Sequence, residues 1–493
     1  MFWDKDNLKR LIEERLSDFQ IILVSNREPY MHIYKGGEVE TIIPASGMAI
    51  ALDSLMQTCG GTWVAAGSGE ADREACTDGD SLIVPPQAPR YKLRRLWLTR
   101  QEENDYYYGF SNEALWPLCH VAYTRPRFDS GQWETYKSVN RKFAEVVLSE
   151  VADPRRTIVF IQDYHFALLP RMLKEAEPNL VVSQFWHIPW PNYEIFRICP
   201  WGPEILDGLL GNDLLGFHLQ YHCNNFFDTV DRTLEARVDL ERFSIFRQER
   251  ETRVRPFPIS IDFDRFEAWA RAPQTQRRLQ ELRHSLSLGG LKVGLGVDRL
   301  DYTKGIPERL EALDIFFRKY PRYQQRFTFI QLGPQSRLHI PSYRQLNALV
   351  DSLLEEINSQ YGQGRWKPVI MLKGHYSQEE VVAFYQLADL IVINSLHDGM
   401  NLVAKEYVAS RVQGEGALLL SPFTGAAREL TGAYTVNPYN PEEIADTIFL
   451  ALENEAEQKA SRLAAMRAWV QEHNIFQWSA HFLQALIHLP KED

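Results

Sequence analysis

Short β-branched or apolar runs alternate along this chain with longer stretches of helical period, and that alternation constrains the fold more than any single motif does. The runs that predict strands are Gln20–Ser25, Trp63–Ala66, Leu93–Leu98, Thr157–Gln162, Val181–Trp186, Leu214–Phe217, Val254–Ile261, Leu291–Val297, Phe327–Leu332, Val369–Lys373, Leu390–Asn394 and Ala417–Ser421. Several are apolar on both faces, as parallel strands covered by helices are. Helical patterns such as Pro307–Lys319, Ser342–Ser359 and Gln378–Leu387 lie between them. The alternation predicts an α/β protein with parallel sheets. Twelve strands are many for one open sheet, so two doubly wound domains are expected.

The polar, helix-rich stretch Ala268–Ser287 follows Pro256-Phe257-Pro258 and precedes a fresh strand at Leu291. The junction is therefore placed near Pro256–Phe263, with a first domain over 1–258 and a second over 259–475. No repeat of about 20–50 residues and no low-complexity linker is seen. The domains are expected to pack across a cleft, where ligands of such sheets bind.

The 493 residues carry a formal charge of −11, with 45% apolar and 24% charged residues. That is ordinary globular usage, not the composition of a disordered chain. The acidic balance argues against a nucleic-acid binder, which needs a basic face. It still allows small anionic ligands, held by a few arginines or a helix N-terminus. The most apolar stretches, such as Ile21–Val24 and Ala417–Leu420, are of strand length, far short of the roughly 20 residues of a membrane span. The start, Met1-Phe2-Trp3-Asp4-Lys5-Asp6, lacks the pattern of a signal peptide. Cys59, Cys76, Cys119, Cys199 and Cys223 are few, odd in number and widely spaced. A cytoplasmic protein with buried thiols is the expectation.

Two segments place charge at the end of an apolar strand. In Gly296-Val297-Asp298-Arg299-Leu300-Asp301-Tyr302-Thr303-Lys304-Gly305, Arg299 offers a planar fork for phosphate oxygens and Lys304 a point charge. A surface ion-pair loop is the bland alternative. In Asn394-Ser395-Leu396-His397-Asp398-Gly399-Met400-Asn401, a loop with an acid and a glycine precedes a helix expected to start near Met400. The N–H groups of that helix start suit a diphosphate. Asp398 beside a diphosphate would repel it, so sugar hydroxyls suit it better; the bland alternative is that it is only a cap, and Glu406 a solvated helix residue. Asp163 and His187 end two further strands and could face the same cleft, although a His there is more often structural. No His/Asp cluster with a good ligand spacing supports a metal site, and no nucleophile elbow or Walker loop is present. Tyr106-Tyr107-Tyr108 with Leu115-Trp116-Pro117 could stack on a sugar, or simply pack the core. The residues alone point to a two-domain enzyme handling a nucleotide or phosphate compound.

At these same residues the sequence resembles the retaining glycosyltransferases that include trehalose-6-phosphate synthase and glucosylglycerol-phosphate synthase. The matching blocks are Val24-Ser25-Asn26-Arg27, Phe110-Ser111-Asn112, Leu115-Trp116-Pro117, Asp163-Tyr164-His165, His187-Ile188-Pro189, Arg299-Leu300-Asp301-Tyr302 with Lys304-Gly305, and Asp398-Gly399-Met400-Asn401-Leu402-Val403-Ala404-Lys405-Glu406-Tyr407. The resemblance implies two Rossmann-like domains in the GT-B arrangement, with a last helix over 476–493 returning to the first domain. It implies a nucleotide-sugar donor, usually UDP-glucose. Arg299 and Lys304 would bind the donor diphosphate, Glu406 the ribose, and Asp398, Gly399, Met400 and Asn401 the sugar and diphosphate, with Leu402 and Val403 also at the donor. The Ser46-Gly47 turn would approach the donor phosphates, and Asp163 and His187 the transferred glucose. Arg27 and Arg337 would take the acceptor's phosphate, and Tyr107 and Trp116 would shape its pocket.

The resemblance further implies no metal and no cofactor, and it leaves room for a homo-oligomer. No Asp-x-Asp phosphatase stretch follows the second domain, so product dephosphorylation would fall to a separate phosphatase. Glucose-6-phosphate is the expected acceptor, giving trehalose-6-phosphate. Ala66 stands where those synthases carry a second tryptophan, Ser46 replaces one glycine of a pair, and Glu28-Pro29-Tyr30 looks more like the glucosylglycerol enzymes. Glycerol-3-phosphate is therefore the alternative acceptor. A catalytically silent sugar-phosphate sensor is the alternative of a different class.

Overall fold

Each of the twelve predicted runs falls on a strand in the computed structural model, which describes residues 3–43 and 47–489. Thr157–Gln162, Leu214–Phe217 and Phe327–Leu332 match to the residue, and all sixteen of their positions are buried. Such strands have no face to spare for water, so helices cover both sides.

The chain divides into two compact units, Met1–Ile259 with Phe476–Asp493, and Ser260–Ile475. The sheet of the first unit has ten strands. Seven are parallel, in spatial order Tyr91–Leu96, Thr62–Ala66, Gln20–Arg27, Thr157–Gln162, Val181–Phe185, Leu214–Phe217 and Arg250–Pro256. Antiparallel strands close both edges: Ser81–Val84 on one side, Ser244–Arg247 and Arg237–Asp239 on the other. The sheet of the second unit has six strands, all parallel: Val369–Leu372, Phe327–Leu332, Lys292–Val297, Leu390–Ile393, Ala417–Leu420 and Tyr434–Thr435.

Both sheets are Rossmann-like. Numbered along the chain, the six-stranded sheet runs 3-2-1-4-5-6, and the parallel strands of the larger sheet follow the same order with a seventh added. In each, the chain winds outward from its first strand, returns, and winds the other way. The helices before and after that reversal diverge, which opens a crevice at the carboxyl ends of strands 1 and 4. In the first unit those strands end at Arg27 and before Asp163. In the second they end before Asp298 and Asn394.

The helix Ile475–Ile487 completes the first unit's core. Phe482 packs 4.3 Å from Phe160 and 4.8 Å from Phe257, centroid to centroid, and Trp478 donates its indole N–H to the Phe257 carbonyl at 3.2 Å. Burying Phe482 to 1% exposure contributes about 2–3 kcal/mol.

The structure also departs from the sequence reading. Six further strands appear among the described residues. Two of them, Met31–Lys35 and Glu38–Ile42, form a hairpin about Gly36-Gly37, both at positive φ. That is the turn a two-residue glycine loop favours. The predicted strand Val254–Ile261 lies instead at Arg250–Pro256. It is preceded by a tight turn in which Gln248 and Glu249 both take positive φ, without the glycine that would have marked it. Cys119, Cys199 and Cys223 are buried, but Cys59 and Cys76 are only half-buried. No helix of the described residues is long and apolar enough to cross a membrane.

Candidate active site

The second unit gathers the charged loops of strands 1 and 4 at its switch point. After Lys292–Val297 the chain turns through Arg299 into a short 3-10 turn, Tyr302–Lys304. Asp301 caps that turn, accepting from the Thr303 N–H at 3.1 Å and from its hydroxyl at 3.0 Å. The other oxygen of Asp301 takes Arg299 at 3.3 Å, Arg337 at 3.5 Å and the Tyr343 hydroxyl at 3.0 Å. Burial alone would raise the pKa of this carboxyl, but the charges of Arg299, Arg337 and Lys304 hold it at about 2. Two arginines are thereby fixed on one carboxylate oxygen.

Gly305 then takes a left-handed conformation, φ +66°, and the helix Ile306–Lys319 begins with Pro307 in its first turn. A Cβ at Gly305 would run into the Asn394 carbonyl, so only glycine fits. Asn394 donates to the Gly305 carbonyl at 2.7 Å and accepts from Arg309 Nε at 2.7 Å. Arg309 is fully buried and also binds Asp298 at 2.8 Å and Gln331 at 2.6 Å. The Arg299 and Asp398 loops thus share a buried polar floor.

Above that floor Lys304 Nζ lies 2.6 Å from Asp398 Oδ2. The sequence reading weighed Asp398 as a cap; the structure gives that role to Asn401. At φ 78°, Asn401 accepts from the Ala404 N–H at 3.2 Å and donates to Asp398 at 3.0 Å. Its left-handed backbone delays the helix to Leu402–Ser410, two residues later than Met400. Leu402 and Val403 then supply N–H groups with no partner inside the helix. The turn Gly425–Arg428 pins the loop, Ala426 donating to the Met400 carbonyl at 2.8 Å, and a Cβ at Gly425 would strike Gly399. Glu406 is buried, not solvated. Burial lifts its pKa to about 7, against the lowering effect of a bond from the Tyr385 hydroxyl at 2.8 Å.

In the first unit, Arg27 ends its strand just past an irregularity in the pairing of Ser25 and Arg27. Its guanidinium donates to the Tyr107 hydroxyl at 2.9 Å. Tyr107 sits on a π-helical segment, Glu103–Leu115, and stacks on His165, 5.6 Å between centroids. Wide π-turns are frequent at functional sites because they re-aim a side chain. Trp116 is largely buried and packs against His120 and Tyr164. Asp163 takes φ 74°, held there by its carboxylate, which accepts from the N–H of Tyr164 at 2.9 Å and of His187 at 3.2 Å. An over-determined backbone of this kind stores strain where geometry matters. The ring Nε2 of His187 donates to the Gln162 side chain at 2.9 Å. Burial, aided by the nearby His165, lowers the His187 pKa to about 3 and keeps the ring neutral.

The structure therefore brings together Arg27 with Tyr107, Asp163 with His187, Arg299 with Arg337, and Lys304 with Asp398. Ser46 lies outside the described residues; Gly47 starts the helix Gly47–Cys59. Sequence reasoning missed three residues of the site. Asp301 stood in a quoted motif, two positions after Arg299, and its spacing was the available signal. Arg309 and Tyr385 lie inside helices, where nothing local marks them.

The model of glycosyltransferase family 20 matches residues 20–488. A trehalose-6-phosphate synthase of Mycobacterium avium is 37% identical over 478 residues, covering 95% of either chain. A structure from E. coli bound with UDP-2-fluoro glucose superposes with a TM-score of 0.85 at 29% identity, over 96% of this chain and all of that one. An α,α-trehalose-phosphate synthase (UDP-forming) from Burkholderia xenovorans, in complex with glucose-6-phosphate, gives a TM-score of 0.85 at 26% identity, over 95% and 99% of the two chains. With a family match over nearly its whole length and a charged switch point in each of two Rossmann-like sheets, the chain belongs to glycosyltransferase family 20 and is a glycosyltransferase.

Proposed function

We propose that the protein transfers glucose from UDP-glucose to glucose-6-phosphate with retention at the anomeric carbon, forming trehalose-6-phosphate and UDP. The observation that carries this reading is the union of Lys304, Asp398 and the start of the helix Leu402–Ser410 at the switch point of the second sheet. The relatives' activity and the ligands of the two neighbouring structures support it.

As the bond from C1 to the diphosphate oxygen breaks, negative charge grows on the leaving group. Arg299, Lys304 and the N–H groups of Leu402 and Val403 are fixed donors for that charge, and fixed donors cost no reorganisation during the reaction. The leaving phosphate oxygen takes the acceptor's proton, which keeps both substrates on one face and retains configuration. Asp163 and the neutral His187 bind the transferred glucose as hydroxyl acceptor and hydrogen-bonding ring. Arg27, with Tyr107 beside it at 2.9 Å, takes the acceptor's phosphate.

Product analysis tests this with UDP-, GDP- and ADP-glucose against glucose-6-phosphate and glycerol-3-phosphate, in EDTA. The expected result is α,α-linked trehalose-6-phosphate from UDP-glucose, at a rate the chelator leaves unchanged. Preference for glycerol-3-phosphate would replace the acceptor. No nucleotide release with any acceptor would leave only the sensor.

A pH effect follows from Glu406. Its ionised carboxylate accepts from both ribose hydroxyls, and charge-assisted bonds are the stronger ones. Because burial puts its pKa near 7, the donor KM should be lowest above neutrality and rise as pH falls from 8 to 6. The limit is about tenfold per pH unit below the pKa. The sugar diphosphate keeps its charge through that range. Glu406→Gln should flatten the profile, and an unchanged slope would remove the assignment.

A further inference from the structure

The helix Gln378–Leu387 is capped at Ser377 and buries every residue from Val382 to Leu387. Its end is held by Arg411, whose guanidinium donates to the carbonyls of Tyr385 at 2.8 Å and Gln386 at 2.7 Å. Arg411 itself follows directly on the helix Leu402–Ser410. One buried cation therefore sets the relative position of the two helices, and Tyr385 projects from the first to Glu406 on the second. The Tyr385 hydroxyl, on a fully buried side chain, donates to Glu406 Oε2 at 2.8 Å. Among the described residues the Glu406 side chain has no other hydrogen-bond partner.

A carboxylate buried with one bond is under-satisfied, since its two oxygens can accept about four. The phenol fills one oxygen and fixes the rotamer. The other oxygen is then presented in one orientation instead of several, so less freedom is lost when a ligand binds. Two adjacent hydroxyls, one on each oxygen, suit that half-filled carboxylate. We propose that Tyr385 is a positioning residue of the donor site, orienting Glu406 to receive the vicinal diol of the nucleotide's ribose. This rests on the reading that Glu406 holds the ribose. Burial raises the pKa of Glu406 and the phenol bond opposes the rise, which agrees with a bond made to the ionised form.

The test measures Kd for UDP and for its 2′,3′-dideoxy analogue, by calorimetry on the full chain, in wild type, Tyr385→Phe and Glu406→Gln. Tyr385→Phe removes one oxygen and keeps the ring, and equal thermal midpoints establish that it folds. Wild type should prefer UDP by about ten- to a hundredfold, the scale of hydrogen bonds to a charged group. In Tyr385→Phe that preference should shrink to about threefold or less, while affinity for the dideoxy analogue and the acceptor KM stay within about twofold of wild type. A purely structural role would weaken both nucleotides alike and leave their ratio intact, which would overturn the proposal. Full discrimination retained in Glu406→Gln would overturn the ribose reading itself. Discrimination lost in Glu406→Gln but kept in Tyr385→Phe would overturn only the role of Tyr385.

Discussion

Lys304→Ala is expected to lower kcat by about two orders of magnitude or more, the usual scale for removing one donor aimed at developing charge. Two effects combine. The leaving diphosphate loses a point charge fixed in a mostly enclosed site, where a charge is screened less than in water. Asp398 loses Lys304 at 2.6 Å but keeps the bond from Asn401, and its carboxylate beside the same loop opposes the anion. Lys304→Ala with Asp398→Asn should therefore bind nucleotide better than Lys304→Ala alone, though still turn over slowly. Lys304→Arg should rescue only in part, because a planar fork cannot occupy the site of a compact ammonium. Arg299→Ala should lose a comparable factor. Its cause differs, since Arg299 is held through Asp301, 3.3 Å away, and not by the Asp398 loop. Steady-state kinetics with UDP-glucose and glucose-6-phosphate read both variants. Near-normal turnover in either one would remove it from the charge clamp.

Arg309→Met should destabilise the second unit by about 3–5 kcal/mol. Arg309 has no exposed surface and binds Asn394, Asp298 and Gln331 at 2.6–2.8 Å. Methionine fits the length of the stem but leaves Asp298 buried without its cation. Burial already raises the pKa of Asp298 against the pull of Arg309 and Lys304, and Arg309→Met removes the larger of those two opposing charges. Asp298→Asn added to Arg309→Met should recover part of the loss by removing the buried charge. Glycine at 296 gives the arginine room, because a Cβ there would meet the guanidinium and Gln331. Calorimetric scans and proteolysis of the full chain measure the effect. A midpoint unchanged by Arg309→Met would show that the network is dispensable.

Much of the architecture was legible because its signals are local. A strand buried on both faces must be apolar throughout, and Thr157–Gln162 and Phe327–Leu332 could be read to the residue. The glycine pair 36–37 was an available hairpin signal that the sequence reading passed over. The turn at Gln248-Glu249 had no such mark, because both residues adopt positive φ without glycine. The helix start after Asp398 was misplaced by two residues because Asn401, not Gly399, makes the left-handed step.

By itself, the amino-acid order determined two doubly wound sheets and the loops in which charge follows a buried strand. Those properties depend on neighbours a few positions apart, and periodicity records them. Only the folded chain decided which distant charges meet. Lys304 joins Asp398 across 94 residues, Arg309 joins Asn394 across 85, and Tyr385 joins Glu406 across 21. A lysine, an arginine or a tyrosine in a helix reads the same in sequence whether it faces water or a buried carboxylate. The difference is made by the order in which the strands assemble, which brings the ends of strands 1 and 4 side by side and lets their loops neutralise one another.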